Sequence, residues 1–212
     1  MKITNENNMD LMSRYEDNHF DLAIVDPPYG ILNTKTIIKK THKNGKKTTN
    51  KNHKLINWDI KPNKKYFSEI NRVSKNFILF GANYFTKYLL DTSSWICWDK
   101  MVSNDVHLSS IELIYTTFTS GSKIIKISPF HNLRGGKDRI HPTQKPVKLY
   151  EWLLMNYAKK DDKILDTHLG SGSIAIACHN LKYDLTACEL DKEYYEAAMK
   201  RIEQHKQQKR LF

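Results

Sequence analysis

Two hydrophobic periods alternate along the chain. Short runs of consecutive apolar residues predict strands buried on both faces at 22–26, 76–80, 94–98, 111–118, 163–166 and 184–188. Their β-branched and aromatic residues suit a packed, pleated surface. Between them, helical spacing predicts helices over 66–74, 83–90, 146–158, 173–181 and 192–205. In the third of these, Val147, Leu149, Tyr150, Leu153, Leu154 and Tyr157 recur at helical spacing, and Pro146 stands at the start, where a missing amide costs nothing. Strands alternating with helices imply an α/β architecture, a mostly parallel sheet covered on both faces. Two stretches fit neither period and read as loops, 31–57 and 121–144.

The first strand ends in Asp26-Pro27-Pro28-Tyr29-Gly30. Two consecutive prolines remove two amide donors, so the sheet ladder cannot continue through them. What remains is a carboxylate, rigidly placed carbonyls and one aromatic face, a cluster of acceptors. Read alone, it is also an ordinary strand-terminating turn.

Composition narrows the class. A chain of 212 residues, 40% apolar, is long enough for one well-buried domain spanning 1–212. It has no apolar run of membrane-spanning length, and its N-terminus lacks the apolar stretch of a signal peptide, so a cytoplasmic location is expected. Cys97, Cys178 and Cys188 show neither pairing nor metal-ligand spacing; no disulfide framework and no metal site are expected. The formal net charge of +11 favours a polyanionic partner, because binding releases the counterions condensed on nucleic acid. A lysine-rich solvated surface accounts for the same number.

A second constellation follows strand 163–166. Asp166-Thr167-His168-Leu169-Gly170-Ser171-Gly172-Ser173 occupies a strand-to-helix turn, and the next strand ends in Glu189, followed by Leu190 and Asp191. Glycines there allow a tight turn and close approach of a ligand to the main chain. An acid at the end of the next strand is placed to accept both hydroxyls of a ribose. The order of glycine turn, helix, strand and acid describes an adenosine-containing ligand, and without the third glycine of the dinucleotide pattern a mononucleoside fits better.

These residues resemble the amino-group DNA methyltransferases that use S-adenosyl-methionine. "DPPYG" at 26–30 resembles their catalytic motif and "DTHLGSG" at 166–172 their cofactor loop. "HPTQKPVKLYEWLL" at 141–154 resembles the segment preceding that loop, and "CELDKEYYEAAMKRI" at 188–202 the segment after it. "NFILFGANYF" at 76–85 is similar to the strand and turn that follow the catalytic loop, and the motif order is that of the β group. The resemblance implies a Rossmann-like methyltransferase fold with a twisted, mostly parallel seven-stranded sheet, one strand antiparallel, and helices on both faces. The chain departs from the family at Thr167-His168, where many members have proline and phenylalanine, at Ser173, where threonine is commoner, and in having no long target-recognition insert between Phe118 and His141.

The resemblance also assigns roles. Asp26 and the Pro27 carbonyl accept the two hydrogens of an exocyclic amine, drawing its conjugated lone pair toward the methyl group; Pro28 stiffens the turn, and Tyr29 offers a ring to a base flipped out of the duplex. Asp26, Thr143, Gln144, Lys145, Asp166, His168, Leu169, Gly170, Ser171, Gly172, Glu189 and Leu190 bind S-adenosyl-methionine, with Thr143, Gln144 and Lys145 toward its carboxylate. Segments 31–57 and 119–140 contact double-stranded DNA, through Lys39, Lys40, Lys43, Lys46 and Lys47 in the first and Arg134, Lys137 and Arg139 in the second. An aspartate in the first motif position favours the N6 amine of adenine. The same mechanism on the N4 amine of cytosine or on RNA stays open, as does a nucleic-acid-binding protein that keeps the fold without turnover. Ring-carbon methylation is disfavoured, since no cysteine follows a proline. The short recognition segment leaves room for a homodimer.

Overall fold

In the computed structural model the described residues are 1–31, 59–102, 109–130 and 139–208. The central strand is β2 (Phe20–Val25), whose near-continuous apolar run is explained by burial on both faces. Leu22 and Ile24 point into one core and Ala23 and Val25 into the other, the period of two expected of a strand. Parallel neighbours flank it, β3 (Ser74–Leu79) on one side and β7 (Lys163–Asp166) on the other. Beyond β7 lie β8 (Asp184–Glu189) and β1 (Lys2–Asn5); beyond β3 lie β5 (Ile111–Thr116), β4 (Trp95–Asp99) and β6 (Lys123–Lys126). β5 runs antiparallel to both of its neighbours, and every other pairing is parallel.

Helices cover both faces. α1 (Asn8–Ser13) and α2 (Lys64–Val73) supply Leu11, Met12, Tyr66, Phe67 and Ile70 to one core. α3 (Val147–Tyr157), α4 (Ser173–Leu181) and α5 (Lys192–Gln207) close the other, with Leu149, Leu153, Ile174, Ala177 and Ile202. Side-chain caps fix three of the starts: the carboxamides of Asn7 and Asn63 and the carboxylate of Asp191 accept amides of the first turns of α1, α2 and α5.

Among the described residues the sheet has eight strands, where the hydrophobic runs predict six and the resemblance implies seven. The two strands beyond the predicted six are short and carry little periodic signal. β1 is four residues pairing with β8 at one edge. β6 lies inside the stretch read as a loop over 121–144; its Lys-Ile-Ile-Lys run pairs with β4 at the other edge, where half of it faces solvent. The helix expected over 83–90 is instead two 3₁₀ turns, Ala82–Tyr84 and Thr86–Tyr88. They start from Gly81 in the left-handed region (φ 59°), and the run is too short and too aromatic to sustain α-helical hydrogen bonding there. α1 also has no counterpart among the expected helices.

The chain leaves β2 in one direction for β3 and returns to its other side through β7. The crevice at the carboxyl ends of β2 and β7 is therefore the position at which open α/β sheets hold ligands. Gly81 controls one wall of it. A Cβ there would lie 2.3 Å from Cζ of Tyr29, inside any tolerated contact. Gly81→Ala combines a positive φ with displacement of that ring, and is expected to lower the unfolding free energy by about 1–3 kcal/mol in a denaturant titration. An unchanged midpoint would show that Tyr29 is not held against this turn.

Candidate active site

β2 delivers Asp26 to the crevice, and Pro27-Pro28 ends the strand directly after it. Gly30 turns the chain with φ 72°, and its N–H donates to Asp59 Oδ1 at 2.9 Å. Asp26 is met by two donors: Lys145 Nζ lies 2.5 Å from Oδ2, and the Tyr29 hydroxyl 2.6 Å from Oδ1. A second carboxylate, Glu112 on β5, shares both donors, with Oε1 at 2.9 Å from the Tyr29 oxygen and 3.3 Å from Lys145 Nζ. Lys100 Nζ closes the group on the far oxygen of Glu112 at 2.9 Å. Two carboxylates thus face two ammoniums, and the Lys145 side chain is only 5% exposed.

Burial pushes the Asp26 carboxyl above the usual range and Glu112 adds to this, while Lys145 pulls the other way. For Glu112 burial also raises, but Lys145 and Lys100 together outweigh it and hold the carboxyl below its ordinary value. The Tyr29 phenol is driven up by burial and by both acids, so it stays protonated and donates. Its ring is already stacked on Tyr84, with centroids 5.0 Å apart and planes 15° from parallel.

The glycine turn after β7 forms the opposite wall. Gly170 and Gly172 have φ of 52° and 73°, and a Cβ on Gly172 would stand 3.0 Å from Ile202, so glycine also lets α5 pack closely. Glu189 at the end of β8 accepts the Gly170 N–H at 2.8 Å and the Asp191 N–H at 3.0 Å, one on each oxygen. Each oxygen keeps a second lone pair for a ligand hydroxyl. Asp166 lies behind the wall, accepts the His168 N–H at 3.0 Å, and is pushed up to about 8, chiefly by burial. Arg201 of α5 grips the turn from outside, donating to the Ser171 carbonyl at 2.7 Å and to Ser173 Oγ at 3.0 Å. Ser173 Oγ in turn donates to the Lys145 carbonyl at 2.7 Å, tying the turn to the lysine that meets Asp26.

Thr167 and His168 have a structural account. Tyr66 Oη, Thr167 Oγ1, His168 Nδ1, His168 Nε2 and Asn8 Nδ2 form a chain with steps of 2.8 Å (Tyr66 to Thr167), 2.9 Å (Thr167 to His168) and 2.9 Å (His168 to Asn8). Burial lowers His168 to about 3, so the ring is neutral and each nitrogen has a defined partner. The turn is thereby fastened to α1 and α2 by hydrogen bonds.

These walls enclose a cavity of about 870 Å³. Asp26, Pro27, Pro28, Tyr29, Thr143, Gln144, Lys145, His168, Leu169, Gly170, Ser171, Glu189 and Leu190 all line it; Asp166 and Gly172 support it from behind. Three of these residues are engaged otherwise than toward a carboxylate ligand. Lys145 points at Asp26 and Glu112, Gln144 accepts the Ile140 N–H at 3.1 Å, and Thr143 bonds to His141 Nδ1 at 3.0 Å. Arg139 is exposed at the cavity rim. Lys39, Lys40, Lys43, Lys46, Lys47, Arg134 and Lys137 lie outside the described residues. Sequence reading missed Glu112, Lys100, Arg201, Asn8 and Tyr66; the one visible signal was a lone acid in the otherwise apolar Ile-Glu-Leu-Ile run of β5. Among the described residues no cluster of His, Cys, Asp or Glu is arranged to hold a metal ion, and no helix is long and apolar enough to cross a membrane.

A family profile described as DNA methylase, covering N6 and N4 enzymes, matches residues 43–200, beginning after the Asp26–Gly30 motif. A Type II methyltransferase of Moraxella bovis, M2.MboI, is 26% identical over 92% of this chain and 85% of its own length, which takes in nearly the whole chain. M2.DpnII of Streptococcus pneumoniae is 38% identical over 30% of the chain and 24% of its own length. Among solved structures, the M1.HpyAVI–SAM complex superposes with a TM-score of 0.61 at 20% identity, covering 94% of this chain and 98% of its own. The cytosine-N4-specific PvuII DNA methyltransferase does so with 0.63 at 12% identity, covering 99% and 87%. The sheet is thus a Rossmann-like methyltransferase fold, and the chain belongs to the N6/N4 DNA methylase family of amino-methyltransferases.

Proposed function

We propose that the protein transfers a methyl group from S-adenosyl-methionine to the N6 amine of adenine in double-stranded DNA. The observation that carries this reading is the Asp26 carboxylate, held by Lys145 and Tyr29 at the end of β2, in the lining of a cavity whose other wall is a glycine turn and an acid.

The donor set fits the cofactor. Glu189 has lone pairs left for ribose hydroxyls, the turn at Leu169–Gly170 lets a nucleoside approach the main chain, and Leu190 stands exposed at the rim as an apolar surface for the adenine. When bound, S-adenosyl-methionine supplies an electrophilic methyl group on a sulfonium. The chain's own residues do the rest. Asp26 accepts one amine hydrogen and the rigid Pro27 carbonyl the other, so the nitrogen lone pair leaves conjugation with the ring and faces the cofactor wall. Lys145 and Tyr29 hold the carboxylate in place, so little reorganisation accompanies the transfer. The flipped base would meet the Tyr29–Tyr84 pair, an aromatic surface of the right size for a purine. Arg139 and the lysines of 31–57 supply positive charge for the phosphates. That adenine is the target, rather than the cytosine amine, rests on the aspartate in the first motif position.

Three outcomes are expected. Incubated with S-adenosyl-methionine and unmethylated genomic DNA, the protein should yield N6-methyladenine by nucleoside mass spectrometry. Asp26→Ala should lower the rate at least about 100-fold with cofactor binding retained; N4-methylcytosine as the product would move the target to cytosine, and near-normal turnover in the variant would remove Asp26 from the chemistry. Glu189→Gln, which keeps the shape and loses the charge, is expected to weaken cofactor binding roughly tenfold or more by calorimetry. Unchanged affinity would place the ribose elsewhere.

A further inference from the structure

The Tyr29 hydroxyl sits between two acids with a single hydrogen to give. Its oxygen is 2.6 Å from Asp26 Oδ1 and 2.9 Å from Glu112 Oε1. With both acids ionised, one of these contacts sets oxygen lone pairs against each other. Both become hydrogen bonds when Asp26 carries a proton: Asp26 then donates to Tyr29, and Tyr29 donates to Glu112. Glu112 stays the fixed anion of the pair, since Lys100 lies 2.9 Å from its other oxygen.

We propose that Glu112 is a positioning residue of the methyl transfer, acting through the Tyr29 hydroxyl so that Asp26 takes the proton the methylated amine must lose. This rests on the assignment of Asp26 to the target amine made above. Methyl transfer leaves the exocyclic nitrogen with one bond too many and a positive charge. One N–H bond breaks, its electron pair stays on nitrogen, and an O–H bond forms on Asp26. The Tyr29 hydrogen turns from Asp26 to Glu112, and its oxygen accepts from the new acid. No oxidant or further reactant is needed.

The surroundings favour this order. Lys145 pairs with both carboxylates, so protonating Asp26 leaves it Glu112 as a partner and never strands a buried ammonium. The groups bearing on Asp26 are Lys145 and Tyr150 from the α3 segment, Tyr29 beside it, Glu112 from β5, Asp166 from β7 and Tyr66 from α2. Of these, only Glu112 and Asp166 are acids, and only Glu112 shares hydrogen-bond donors with Asp26. Burial together with the nearby Glu112 raises Asp26, whereas the two lysines hold Glu112 down, so the proton settles on Asp26 first.

The test follows Asp26 directly, by carbon NMR of protein labelled at the aspartate carboxyls, with Asp26→Asn to assign the signal. In Glu112→Gln, which keeps an acceptor for Tyr29 and removes the charge, the Asp26 midpoint is expected to fall by about one pH unit. In Tyr29→Phe, which removes a donor to the carboxylate, it is expected to rise. The acidic limb of the methylation rate should move in the same opposite directions, with native circular dichroism in both variants. A residue that served only to hold the fold would lower the rate without moving the limb. An active wild type in which neither the midpoint nor the limb moves in Glu112→Gln overturns the proposal alone. The coupled titration without any methylated product from the wild type overturns the assignment of Asp26 to an amine, and the proposal with it.

Discussion

A lysine ammonium with 5% of its side chain exposed cannot stay charged in a protein interior without partners, and the arrangement of this molecule answers that constraint. Lys145 meets partners from three elements: Asp26 from the end of the central strand, Glu112 from the antiparallel strand, and Tyr29 from the turn that follows β2. Removing both acids would leave an uncompensated charge in a site of low dielectric, and breaking a buried pair typically costs about 3–5 kcal/mol. The ion pairs are therefore weak evidence of net stabilisation and strong evidence of specification. They fix where the carboxylate of Asp26 points.

From that lysine the rest of the cavity is tied down in sequence. Its own carbonyl receives the Ser173 hydroxyl, Ser173 receives Arg201, and Arg201 also holds the Ser171 carbonyl. The two walls of the cavity are thus linked by short hydrogen bonds as well as by the sheet. Thr167 and His168 fit the same scheme. Many members of the family have proline and phenylalanine there, a rigid and apolar pair; here a chain of hydrogen bonds from Tyr66 to Asn8 fastens the same turn. A neutral imidazole with both nitrogens satisfied is close in shape to a phenyl ring and adds directionality.

Much of this was legible in the residues. The strands that bear Asp26, Asp166 and Glu189 are runs of apolar residues ending in an acid, and α4 and α5 follow from helical spacing and from glycine or aspartate at their starts. What was not legible depends on pairing across long separations. β1 and β6 are four-residue edge strands that gain their conformation from β8 and β4, so no local period marks them. Glu112 looked like one polar residue in an apolar strand; its meaning appears only when β5 is laid antiparallel beside β3, which turns its side chain toward Asp26. Lys145 was read by its place in a motif as a contact for a ligand carboxylate, whereas its ammonium is engaged by two of the protein's own acids, a choice that depends on the distance between α3 and β2.

The bond between Lys145 and Asp26 spans 119 positions of the chain, and the central strand finds its second neighbour only at β7. During vectorial synthesis residues 1–144 therefore emerge with Asp26 lacking its lysine, and with one edge of β2 unpaired. Such long-range pairing is slow, because the entropy of closing a large loop must be lost before the contact compensates it. A nascent or truncated chain holding "DPPYG" has neither the ammonium that meets Asp26 nor the turn that faces it. The two walls of the cavity therefore come together only once residues 145–189 have joined the strand that carries Asp26.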